Sequence, residues 1–384
     1  MRTLQGKGVV RAPPLPDRQP VPCTGCHETG HHLPGQFPLG LHRVVRMAGC
    51  PGRAAACRRQ RQPAGLDPER PEYRGYRGVR VQTIRGNSRP GRLAGSLQEI
   101  AISSVPVDVD VSFERPVAFS PDFDGTIAPV GFSGPVKSLS ITGSAKVARV
   151  VDRITADTDL VATDAAVALD RGGIDVYQIA KLMTAGLLGK RRRFVPTRWA
   201  ITAVDDSLSE SLKKEIARFP PLEEILVFAG ELYGNRIMVI LVPGDWRYEM
   251  IEVWGLHSLW SGNEEMIVQD REGMKKSGYS RITGAYYSAR LAVCEYLRNA
   301  RRCARVIVVR NISGEYWAPL GTWVIREAAR KAMGSPPVRC PSLADAVAEA
   351  VMRAGSGTWV PHSTLIPELA SQRTLFQFAE PRQG

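Results

Sequence analysis

Residues 189–206 read GKRRRFVPTRWAITAVDD. Lys190, Arg191, Arg192 and Arg193 run consecutively, Arg198 follows, and Phe194 and Trp199 are set among them. Cations contact phosphate oxygens and aromatic rings stack on bases, so this interleaving suits a nucleic-acid surface. The solvated end of a helix would use the same residues, because Lys and Arg favour its dipole there. Carboxylates form a second group. Asp157 and Asp159 lie close together after Asp152, and Asp205 and Asp206 close the basic stretch. Such oxygen-rich sets suit a divalent cation, and surface turns explain them equally. Sulfur supplies the third group. Cys23-x-x-Cys26 has the spacing of two zinc ligands, but Cys50 and Cys57 are too far apart to supply a matching pair.

Asp122-Phe-Asp-Gly-Thr126 resembles the nucleophile loop of haloacid-dehalogenase phosphatases. That chemistry needs a strand running straight into the first Asp, and Ser120-Pro121 interrupts the approach. An Asp-Gly turn is the simpler reading. No Ser/His/Asp or Cys/His nucleophile set is visible, and only His257 and His362 lie beyond residue 90.

The elements that must position these groups are mixed. Residues 105–113 (VPVDVDVSF) alternate, with Val105, Val107, Val109, Val111 and Phe113 on one face, which predicts a half-buried strand. Val176, Ile179, Ala180, Met183 and Leu187 form one helical stripe, with Asp175 as its cap and Gly186 or Gly189 as its end. Residues 225–254 read as three strands, the first turn falling at Gly234-Asn235. A helix over 285–302, a buried strand over 305–309 and a helix after Pro319 come next. A last helix follows Ser342, where Ser342 and Asp345 make a capping box. Arg290 and the pair Arg326-Glu327 sit among buried-type aromatics and are candidates for internal ion pairs. This order predicts an α+β fold rather than a regular βαβ repeat.

The net charge is +13, but it is unevenly placed. Residues 1–90 hold 16 basic and 5 acidic side chains; the other 294 hold 35 and 33. Residues 1–83 contain no Ile or Asn and one lysine, Lys7, and show no sustained apolar period. Such a stretch cannot bury enough surface to fold. Two readings fit it: a disordered basic tail, or GC-rich DNA translated in a shifted frame. Ordinary composition begins near Val79. No apolar run reaches the ~20 residues a membrane helix needs, and the N-terminus lacks the apolar core of a secretory signal. Seven cysteines do not make a disulfide framework, so a reducing cytoplasm is expected.

Several stretches together carry a resemblance. They are SSVPVDVDVSFERP, DTDL, AGLLGKRRRFVPTRWAITAVDD, VFAGELYGN, VPGDW, IEVW, GAYYSARLAVCEYL and EYWAPLGTWVIREA. Over about residues 79–380 the chain resembles the archaeal Nre family of DNA repair proteins. The resemblance implies an N-terminal-type domain over 79–255, a C-terminal-type domain over 256–371, and a role in the DNA-damage response. It also implies DNA and the sliding clamp PCNA as partners, and no membrane. Family members open on a four-cysteine cluster like a zinc finger. Cys23, Cys26, Cys50 and Cys57 do not keep its spacing, so zinc does not carry over and no other cofactor is implied. Nor does a catalytic activity follow. The alternative function is a metal-dependent nucleic-acid-processing enzyme, nuclease or phosphatase-like, working through the Asp clusters.

Gln372, Leu375, Phe378 and Ala379, within QRTLFQFA, resemble a PCNA-interacting peptide. A single tight turn brings the fourth, seventh and eighth positions to one side as an apolar plug. The Gln amide offers a donor and an acceptor to the pocket rim. Ala379 stands where a second aromatic is usual, which predicts weaker binding.

Overall fold

The computed structural model describes residues 45–47, 79–81, 92–114, 118–122, 130–134, 136–258, 261, 263–316 and 320–371. The expected disorder of 1–78 therefore lies outside the described residues, except at the short strand β1 (Val45–Met47). β1 pairs in parallel with β3 (Val109–Phe113), which pairs antiparallel with β6 (Val136–Ile141). Helix α1 (Arg92–Ile102) covers this sheet through Leu97, Ile100 and Ala101 against Val109 and Val111. A second small sheet has the order β2 (Val79–Val81), β5 (Val130–Gly134), β4 (Ala118–Asp122). Asp122 is the last residue of β4, and residues 123–126 of the DFDGT stretch lie outside the described residues.

The first strand is shorter than its alternation predicts. Val107, Val109 and Val111 are buried, but Val105 is exposed. The Asp108 carbonyl turns to accept the amides of Thr142 and Gly143, so the β3–β6 ladder starts only at Val109.

The main sheet has six strands in the order β10-β9-β11-β8-β7-β12. These are β7 (Ile225–Leu232), β8 (Asn235–Val242), β9 (Arg247–Trp254), β10 (Met266–Glu272), β11 (Arg305–Ile312) and β12 (Val338–Cys340). The β9–β11 pair is parallel and the other pairs are antiparallel. Period-two alternation sends Ile237, Val239 and Leu241 to one face of β8, and Met238, Ile240 and Val242 to the other. Both faces are covered, which is why β8 and the start of β11 read as nearly continuous apolar runs, while β9 also buries Glu249 and Glu252. β11 extends beyond the expected 305–309, because Arg310 finds Glu252 and Asn235 as buried partners. The turn between β7 and β8 falls at Tyr233-Gly234, one residue earlier than expected. Both have positive φ, as a two-residue hairpin turn requires.

Helices α2 (Arg149–Ala156), α3 (Ala162–Arg171), α4 (Val176–Thr184), α5 (Thr197–Ile216), α6 (Gly284–Ala300) and α7 (Trp323–Met333) join one face of this sheet in a single core. Helix α8 (Leu343–Ala354) packs on the other. Asp175 caps α4 by accepting the Tyr177 and Gln178 amides, and Gly186, at φ 68°, follows its end. Ser342 caps α8 through the Asp345 amide. α8 is not the last helix, however: α9 (Leu365–Ser371) follows. Its first turn is held by Glu249 of β9, whose carboxylate accepts from the Ser363 and Thr364 hydroxyls and the Thr364 and Leu365 amides. The expected α+β class is the one observed. Because β11 lies between β8 and β9, the sheet draws on both sides of position 255.

Gly230 of β7 lies tight against α7. A Cβ there would lie 2.5 Å from the Ala332 amide nitrogen of α7 and 2.8 Å from its Cα. Gly230→Ala should therefore lower stability by about 1–3 kcal/mol through overpacking. A urea titration should show a lower midpoint at an unchanged slope.

Candidate nucleic-acid interface and the charge network beneath it

Helix α5 has two sharply different parts. Along its middle it is the floor of a buried charge network. The Arg290 guanidinium of α6 is fully buried. It donates to Ser209 Oγ at 3.0 Å, Glu210 at 2.9 Å and Glu272 at 2.6 Å, and also pairs with Asp206. Lys213, also buried, joins the same Glu272 at 3.1 Å. Burial pushes the Asp206 carboxyl up, and the Arg290 charge opposes that shift. At the adjacent position, Arg326 of α7 pairs with Asp205, which also accepts from the Ser288 hydroxyl at 2.6 Å. Burial pushes the Asp205 carboxyl up too, against Arg326 and Ser288. The Arg326 guanidinium lies 4.8 Å from the Tyr177 ring centroid, with Glu327 3.6 Å from its Nε. The expected internal pairs at Arg290 and Arg326-Glu327 are thus present.

The N-terminal end of α5 faces solvent. Lys190, Arg191, Arg193, Arg198 and Trp199 are all exposed. Pro196 precedes the first turn, and no side chain caps it. Arg192 differs from its neighbours. It has a positive φ of 44°, and its guanidinium donates to the Gly189, Thr155 and Asp157 carbonyls. It ties the basic loop to the end of α2. Gly189, at φ 81°, is required nearby because a Cβ would meet Ala162 at 2.9 Å.

The aspartates do not converge as a metal site would need. Asp205 and Asp206 face the arginines just described. Asp157 closes its own turn by accepting the Asp159 and Leu160 amides. Among the described residues no group of three or more His, Cys, Asp or Glu could hold a metal ion. Cys23, Cys26, Cys50 and Cys57 lie outside the described residues, as do Gln372, Leu375, Phe378 and Ala379. Among the described residues, no helix is long and apolar enough to cross a membrane.

Two family models match in succession, Archaeal Nre, N-terminal over residues 72–261 and Archaeal Nre, C-terminal over 271–378. The chain belongs to the archaeal Nre family. DNA repair protein NreA of Archaeoglobus fulgidus is 36% identical over 305 residues, covering 79% of this chain and 76% of the relative. DNA repair protein NreB of the same organism is 36% identical over 299 residues, covering 77% and 76%. DNA repair protein NreA of Haloferax volcanii is 35% identical over 280 residues, covering 71% and 66%. No solved structure matches. The Nre match begins at residue 72, close to the change of composition near Val79.

Sequence reasoning missed one part of this Nre surface. The connector between β10 and α6 reads GMKKSGYSR over 273–281. Lys275, Tyr279 and Arg281 are exposed on it, and Tyr279 lies near Thr202 of α5. Cations interleaved with an aromatic were the available signal, the same one that marked 190–199. The connector is pinned by Asp270, which pairs with Lys276 at 2.8 Å and accepts the Arg281 amide at 3.2 Å. Burial alone would raise the Asp270 carboxyl, but bonds from Lys276, Ser280 and the Arg271 amide hold it below the usual carboxylate range.

The buried pair Asp205–Arg326 gives a sharp test of the network. Arg326→Ala leaves Asp205 buried with Ser288 as its remaining bonded side chain, which should destabilise by about 3–5 kcal/mol. Asp205→Ala together with Arg326→Ala should recover part of that loss. A urea double-mutant cycle measures the coupling; simple additivity would show that the two charges do not support each other.

Proposed function

We propose that this Nre chain is a DNA repair protein, contacting DNA through the exposed cations at 190–198 and recruited to the sliding clamp PCNA by residues 372–379. The observation that carries the DNA contact is a contrast of environments. Arg290, Arg326 and Lys213 are buried against carboxylates. Lys190, Arg191, Arg193 and Arg198 are turned outward around the start of α5, with Trp199 beside them. The helix dipole adds partial positive charge at that same end. The names of the relatives supply the setting, since all three are DNA repair proteins. For the clamp peptide, the support is the pattern itself and its place. The C-terminal family match runs to residue 378 and so takes in Gln372, Leu375 and Phe378. Action on chromosomal DNA puts the protein in the cytoplasm.

Replacing Lys190, Arg191, Arg193 and Arg198 together with Ala should weaken DNA binding. It should also flatten the slope of log K against log salt, by roughly 0.9 for each phosphate no longer neutralised. Unchanged affinity at low salt in a folded variant would make the stretch a merely solvated face. Phe378→Ala should remove the largest apolar plug of the clamp peptide. That costs about 2 kcal/mol, or about thirtyfold in clamp affinity by calorimetry. Gln372→Ala should cost less, because its hydrogen bonds partly exchange with water. A large fall in melting temperature with clamp binding intact would assign the peptide to the core instead.

A further inference from the structure

Two large aromatic side chains stand exposed on the same side of α5. Trp199 is 61% exposed and Tyr279 65%. The Tyr279 side chain lies near Thr202 and Asp206 of α5, and Thr202 lies one helical turn from Trp199. The Tyr279 ring is also packed 5.4 Å from the buried Tyr287 ring, centroid to centroid. Tyr287 is itself fixed, accepting the Ser280 amide at 3.0 Å. Tyr279 is therefore held in place although most of its surface faces solvent. An isolated exposed aromatic needs no explanation, but two on one ridge, one of them braced, do.

The surrounding charge says what would cover them. Lys190, Arg191, Arg193 and Arg198 lie on the α5 side, and Lys275 and Arg281 on the connector side, all exposed. Beneath the ridge Asp206, Glu210 and Glu272 face Arg290 and Lys213, which leaves one negative charge against the six exposed cations. A duplex presents phosphates but keeps its base faces stacked inside. Single-stranded or locally unpaired nucleic acid presents both, and bases stack on aromatic rings with little regard to sequence. We infer that Trp199 and Tyr279 form a stacking platform for unpaired bases, so that this face takes single-stranded or locally unpaired DNA. This rests on the DNA contact proposed above and adds the class of DNA it accepts.

The test uses the full chain, with anisotropy measured on a labelled oligothymidine, a blunt duplex of equal length and the same duplex with an unpaired bulge. The intact protein should favour the oligothymidine and the bulge. Trp199→Ala and Tyr279→Ala should each weaken binding to those two on the order of tenfold. Blunt-duplex affinity should change less than about twofold. Trp199→Phe, which keeps a ring, should retain most of the affinity, and circular dichroism checks that each variant is folded. If Trp199→Ala and Tyr279→Ala leave oligothymidine binding unchanged while the fourfold cation variant still loses duplex binding, the basic face stands and the platform falls. The ridge would then be a protein-docking surface. If the cation variant also binds every probe normally, the platform and the DNA contact fall together.

Discussion

The burial of two arginines among α5, α6, α7 and β10 is the constraint on which the arrangement depends. A guanidinium has five donors and cannot shed its charge, so burying one is tolerable only when carboxylates meet it in good geometry. Arg290 meets Asp206, Glu210 and Glu272, drawn from α5 and β10, while itself projecting from α6. Arg326 is met less fully: one nitrogen reaches Asp205, which Ser288 of α6 also reaches, while its buried Nε and Nη2 have no hydrogen-bond partner. Each of these pairings works at one register only. A slip of α6 along α5 would leave several buried charges without partners, whereas a slip between apolar faces would be forgiven more readily. The network therefore sets where the helices lie as well as how firmly they hold.

That placement reaches the surface. Asp205, Asp206, Ser209, Glu210 and Lys213 commit the middle of α5 to the network. Its first turn extends past the network, carrying Arg198 and Trp199 into solvent. The β10–α6 connector is bound by the same logic, since it joins Glu272 to the helix that bears Arg290. Tyr279 sits in that connector and is brought to α5 by the two elements the charges lock together. The exposed ridge is thus positioned by the interior beneath it.

Much of the frame could be read from the chain, and the reason is local. β8 and the start of β11 announce themselves as apolar runs because both faces of the sheet are covered. Asp175 and Ser342 mark helix starts because an N-cap bonds to amides two or three residues away. What could not be read is non-local. Asp205 and Asp206 look like candidate metal ligands in the sequence, because their true partners lie far along it: Arg326 is 121 positions on and Arg290 is 84. Arg192 looks like its neighbours until the backbone at φ 44° turns it onto the carbonyls of α2 and the turn after it. Helix α9 has a local start signal, Ser363 accepting the Ile366 amide, but it is only seven residues long and is also held by Glu249, from a strand more than a hundred residues earlier.

The charge balance of residues 91–384, close to zero, does not argue against a phosphate-binding face. Several cations are buried against acids: Lys213, Arg290, Arg310 and Arg326 each have a partner in the interior. Such pairs cancel in the total and project little field outward. At about 0.1 M salt the field of exposed charges fades within roughly 10 Å, so a phosphate near Lys190 responds to its local surroundings rather than to the molecular sum. A patch of this size gives modest affinity and a steep loss with salt. On the proposed function the clamp peptide would offset that weakness. A second attachment on the same DNA-bound assembly turns a weak bimolecular association into an intramolecular one, at an effective concentration in the millimolar range for a short linker. The ridge can then act on the DNA the tether presents without a cationic surface spread over the whole of residues 91–384.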